Sequence, residues 1–144
     1  MLKFEINDKM NKITKKNISD FKKINTYVNK FLDNKNAYLY EVTIIDSKKI
    51  KNLNAIYRGI NEQTDVLSFC LLNDNSNNKK LLGEIYIAYD YATKEAKKHH
   101  WSIAYELSLL FTHGLLHLFG YDHKNKSEQH IMFELQNKIL KKLK

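Results

Sequence analysis

The sequence predicts an α+β fold, a mixed four-stranded sheet packed by about five helices. Three observations lead there. Apolar residues alternate with a period of two in some segments and recur at helical spacing in others. The two kinds of segment mostly follow one another along the chain, as strands separated by helices do. One pair of strand segments is instead joined by a polar connection, as in a hairpin, which makes the sheet mixed. With 144 residues and neither a repeat nor an interdomain linker, residues 1–144 read as a single domain.

The elements follow in order. Residues 2–6 alternate apolar and polar side chains and form a short strand. Phe21, Ile24, Val28 and Phe31 recur at helical spacing, with Ser19 as the expected N-cap. Residues 38–45 are rich in aromatic and β-branched side chains and give the clearest strand. Asp46 and Ser47 open a helix whose face of Ile50, Leu53 and Tyr57 ends near Gly59, so Arg58 falls at its C-terminus or just beyond. Residues 65–71 and 82–88 are the hairpin strands, joined by a polar connection over residues 73–80 that is expected to be mobile. Asp90 is placed to cap the next helix, where Ala92 and Ala96 permit close packing. A central helix starts near Ser102, and a last one starts at Ser127 with Ile131, Phe133 or Leu135, and Ile139 facing the core.

Composition narrows the function classes. The one cysteine, Cys70, cannot form an internal disulfide, and the first residues lack the apolar core of a signal peptide, which points to a reducing, cytoplasmic setting. Residues 103–121 are apolar, but Glu106, His113 and His117 interrupt them, which favours a buried central helix over a membrane span. The net charge of +8 suits an anionic partner such as nucleic acid, although lysine bias alone produces such a value. Of 24 basic residues only Arg58 is arginine. Either it survives by chance or its position needs the planar two-pronged donor that lysine lacks.

The chemistry concentrates at the end of the central helix. His113 and His117 are four residues apart and stack on one helical face. Gly120 can take the left-handed conformation that ends the helix and brings His123 back as a third ligand. Three histidines at one ion leave a position free, the pattern of catalytic rather than structural zinc. The same spacing occurs in metzincin peptidases, which carry a glutamate directly after the first histidine as general base. Here that position is Gly114, which can move no proton. Glu106, nearly two turns before His113 and about 10 Å away along the axis, is too far to ligate the same ion and reads as a buried, partnered carboxylate. Asp122 either orients a ligand histidine or caps the turn. Tyr121 reads as packing, and His99, His100 and His130 as surface residues. Cys70 reads as a small buried side chain rather than a ligand.

The run His113-Gly114-Leu115-Leu116-His117-Leu118-Phe119-Gly120-Tyr121-Asp122-His123 resembles the signature of the YbeY family of bacterial endoribonucleases. Leu53-Asn54 with Tyr57-Arg58, the block from Thr64 to Phe69, Leu82-Gly83-Glu84-Ile85, Glu106-Leu107, and Met132 with Gln136 and Ile139-Leu140 are similar to further family blocks in order. Gln63 and Cys70 stand where the family usually has proline, and Glu84 where it has aspartate. The resemblance implies zinc-dependent cleavage of single-stranded RNA in maturation of the small-subunit ribosomal RNA 3′ end and in ribosome quality control. His113, His117 and His123 would hold the metal, Arg58 would be catalytic, and the ribosome or its assembly factors would be partners. Two rival classes stay open: a zinc peptidase of metzincin-like geometry, and a non-catalytic ribosome-assembly module with a structural metal.

Overall fold

The computed structural model describes residues 1–72 and 80–143. Its elements are β1 (Lys3–Asp8), α1 (Lys15–Phe31), β2 (Leu39–Ile45), α2 (Ser47–Arg58), β3 (Val66–Cys70), β4 (Leu81–Ala88), α3 (Tyr89–His99), α4 (Ile103–Leu118) and α5 (Lys126–Lys141). The four strands make one sheet in the order β1-β2-β4-β3. β1, β2 and β4 are parallel, and β3 runs antiparallel to β4, so the mixed sheet and its antiparallel pair are as predicted. The polar connection expected to be mobile lies, apart from Lys80, outside the described residues.

Register explains the two faces. Ile6, Val42 and Ile85 lie side by side on β1, β2 and β4, on the face where α1 and α4 pack. There Phe111 of α4 stacks on Phe21 of α1 at 4.4 Å and meets Phe4 of β1 edge-on at 5.3 Å. Such pairs add about 0.5–1.5 kcal/mol each beyond burial. α4 runs between the sheet and α5, which is why Leu107, Phe111, Leu115 and Leu116 are fully buried on several of its sides. Among the described residues no helix is long and apolar enough to cross a membrane. On the opposite face α2 covers the β3–β4 edge through Ile50, Leu53, Leu67 and Tyr86.

Several local expectations need correction. Helix α1 begins four residues before Ser19, because Thr14 and Asn17 form a reciprocal capping box that satisfies two backbone N–H groups at once. Helix α5 starts at Lys126, one residue before Ser127, because Asn125 caps it, accepting the N–H of Glu128 at 2.9 Å. Asp90 does not cap α3, which starts from Ala88 without a side-chain cap. Its carboxylate instead accepts the backbone N–H and the hydroxyl of Ser47, each at 2.7 Å, tying α3 to the start of α2. Tyr57 and Ile131, both expected to face the core, are 66% and 54% exposed. Helix α5 buries the stripe Met132, Gln136, Ile139 and Leu140, rotated from the one through Ile131 by about 100°, the angle of one residue. Cys70 is exposed, because β3 is an edge strand and Cys70 is its last residue.

Candidate metal centre

Helix α4 places His113 and His117 one turn apart with their Nε2 atoms 3.1 Å from each other. Two ligands on a tetrahedral zinc at ordinary bond lengths lie roughly 3.3 Å apart, so this spacing suits one small ion. The third histidine arrives through the helix end. Gly120 adopts φ +97°, its N–H reaches the His117 carbonyl at 3.0 Å, and the Tyr121 N–H reaches the Leu116 carbonyl at 3.1 Å. That closure reverses the chain and brings His123 against the other two rings, so that one nitrogen from each histidine lies within 4.8 Å of the others. No fourth Cys, Asp or Glu ligand joins this group among the described residues. Asp122 accepts the backbone N–H of His123 at 2.7 Å, so of its two expected roles it takes the turn-holding one.

Burial shifts the two histidines of α4. Burial, and then the proximity of His113 and His123, pushes His117 down to about 4. Burial also lowers His113, against an opposing hydrogen bond to the Gln136 side-chain oxygen. Both are therefore neutral near pH 7, as metal binding requires. The His123 N–H bond, and then the nearby His117 and Lys124, hold Asp122 below the usual carboxylate range. Asp65 is pushed up by burial, and its interaction with His113 pulls the other way.

Two glycines let α4 approach the sheet this closely. A Cβ on Gly114 would lie 2.8 Å from Ile85 Cγ2 and 3.2 Å from Ser68 Oγ. One on Gly83 of β4 would strike the Phe69 carbonyl and lie 2.6 Å from Leu118 Cδ2. Gly114 thus does more than omit the peptidase glutamate, because even a methyl group at that position would force α4 or Ile85 to shift.

Arg58 is the last residue of α2, as the sequence implies, and its Nη2 donates to the Ser68 carbonyl at 3.4 Å. Ser68 in turn donates its hydroxyl to the Gly114 carbonyl at 3.3 Å, so two contacts lead from Arg58 to the residue after His113. Arg58 itself is exposed and lies outside the histidine group. Glu106 is 3% exposed and accepts the Trp101 indole N–H at 2.9 Å, the partnered buried carboxylate expected. Tyr121 is half-buried against the main core. His99, His100 and His130 are exposed. Glu84 sits beside Tyr86, whose hydroxyl it accepts at 3.2 Å, on the face away from α4.

Three residues at the site carried no assigned role in the sequence: Asp65, Ser68 and Gln136. The Gln136 side-chain oxygen lies 3.0 Å from His113 Nδ1, although the two are 23 residues apart. Its signal was a lone amide in the otherwise apolar stripe of α5, legible only once that stripe is chosen correctly.

A mixed sheet carrying a buried helix with three convergent histidines defines an α+β protein with a site able to hold one metal ion. The family model described as Endoribonuclease YbeY matches residues 3–144, and the chain belongs to that family. It is 36% identical to Endoribonuclease YbeY of Malacoplasma penetrans over 143 residues, 98% of this chain and 94% of that protein. It is 41% identical to the Ureaplasma parvum protein of the same name over 124 residues, 86% of this chain and 79% of that one. The solution structure of a Thermotoga maritima protein superposes with a TM-score of 0.66 at 28% identity, covering 97% of this chain and 87% of that one.

Proposed function

We propose that this chain is a zinc-dependent endoribonuclease that cuts single-stranded RNA, acting in maturation of the small-subunit ribosomal RNA 3′ end and in ribosome quality control. The observation that carries the reading is the convergent trio of His113, His117 and His123 beside Gly114, a metal site with no place for a peptidase base. The family's name supports RNA as substrate. When bound, a zinc ion on three neutral imidazoles supplies Lewis acidity toward a phosphoryl oxygen or a water molecule. His113 and His117 contribute by staying neutral at working pH and by being set on a helix that the sheet and α5 hold still.

Arg58 is the catalytic residue of this reading. Its exposed guanidinium, anchored on the edge strand by the Ser68 carbonyl, offers planar donors to the negative charge that builds on phosphate in the transition state. Lysines distributed over a chain of net charge +8 track the RNA backbone and make affinity salt-dependent. The whole chain acts as one catalytic domain, in the cytoplasm, with the ribosome or its assembly factors as partners. A three-ligand site favours catalysis over the assembly-module reading, since a structural zinc normally takes four protein ligands. The test is a substrate comparison with zinc-loaded protein. Cleavage of single-stranded RNA with unfolded protein left intact is expected, and proteolysis that His117→Ala abolishes, without RNA cleavage, would replace this reading with the peptidase.

A further inference from the structure

We propose that Gln136 is the positioning residue of the metal centre, holding His113 in the one tautomer that can present Nε2 to an ion. The inference rests on the metal reading above and extends it from α4 to α5.

The Nε2 atoms of His113 and His117 face each other at 3.1 Å, so His113 must offer an ion its lone pair from that nitrogen. A neutral imidazole has one N–H, and with Nε2 bare the proton sits on Nδ1. Free imidazole side chains favour the opposite tautomer, and His113 needs an acceptor at Nδ1 to reverse that preference. Gln136 Oε1 lies 3.0 Å from Nδ1, and an amide oxygen can only accept. Gln136 is 7% exposed, so water competes poorly for that oxygen. Its placement is also hard to explain as packing, since Met132, Ile139 and Leu140 supply the apolar contacts of the same stripe.

The acceptor is an amide and not a carboxylate. It therefore orients the ring without adding a negative charge beside the ion, so the electrophilic character of a site built from three imidazoles is kept.

The test uses the full chain and zinc alone as ligand. Nitrogen NMR of the metal-free protein reads the His113 tautomer directly, and competition against a chelator reads zinc affinity. The parent is expected to hold His113 with its proton on Nδ1. Gln136→Met, which keeps length but removes the acceptor, is expected to shift the tautomer and weaken zinc on the order of 10-fold to 100-fold. Gln136→Glu, which restores an acceptor, is expected to recover zinc binding. A parent with its His113 proton on Nε2 overturns the proposal without any variant having to fold. So does a folded Gln136→Met that binds zinc as the parent does. A parent that binds no zinc at all overturns the metal reading itself and the proposal with it, an outcome distinct from failure at Gln136 alone.

Discussion

Replacing Gly114 by alanine adds one methyl group where α4 presses on the sheet. That methyl carbon would lie 2.8 Å from Ile85 Cγ2, against an ordinary carbon–carbon contact of about 3.5–4.0 Å. Ile85 is fully buried, so it has no open space to swing into and the helix must lift instead. Overpacking of this kind costs about 1–3 kcal/mol, and alanine returns about 1 kcal/mol through helix propensity. A net loss of about 1 kcal/mol follows, or roughly 3 °C in melting temperature for a domain of this size. Because His113 and His117 ride on the same turn, zinc affinity is expected to fall with it. The assay is a double-mutant cycle, with melting temperature and zinc affinity measured for Gly114→Ala, Ile85→Ala and the pair. In the Ile85→Ala background the contact with Ile85 is gone and only the 3.2 Å approach to Ser68 Oγ remains, so Gly114→Ala is expected to cost less there or nothing. Equal cost in both backgrounds would refute the steric reasoning.

Arg58→Lys should keep zinc and most RNA affinity while losing on the order of 100-fold to 1,000-fold in cleavage rate, read by single-turnover kinetics. In the metal-free protein, His117 is held down to about 4, so below pH about 6.5 the unfolded chain takes a proton that the folded one refuses. Stability thus falls as pH drops from about 6.5 to 4 and the loss then levels off. Against His117→Ala, which isolates this group from the oppositely shifted Asp65 and Glu106, the parent should lose about 2 kcal/mol over that window, a figure reduced for partial solvent exposure. Urea unfolding of both proteins at several pH values checks it. Glu5, Glu41 and Glu84 lie side by side across three strands, so Glu41→Gln should raise stability by about 0.5 kcal/mol, less at high salt, in the same urea assay.

The histidine trio was legible because its geometry is local. Helical spacing places His113 over His117, and a glycine that can take positive φ returns His123, all within one helix end. The strands were legible for the same reason, their periodicity being written residue by residue. What the sequence left hidden depends on how elements pack. Gln136 reaches His113 only because α5 lies along α4 with the Met132 stripe inward, and Ile131 offered a competing stripe one residue away. Ser68 on β3 and Asp65 just before it matter through the approach of this edge of the sheet to α4, which no spacing along the chain reveals. The size limit at Gly114 is likewise a tertiary fact, since the sequence shows only that a glutamate is missing. Thr14 and Ser19 are both able caps, and only the matching Asn17 side chain decides between them.

The most direct test of the reaction assigned to this site measures zinc content and RNA cleavage on the same preparations. These are the parent before and after chelation, the chelated parent with zinc restored, and the variants His113→Ala, His117→Ala and His123→Ala. One zinc per parent chain is expected, with cleavage of single-stranded RNA lost on chelation, regained with zinc, and absent together with the metal in all three variants. Cleavage at the parent rate in variants that hold no zinc would contradict a nuclease built on these histidines.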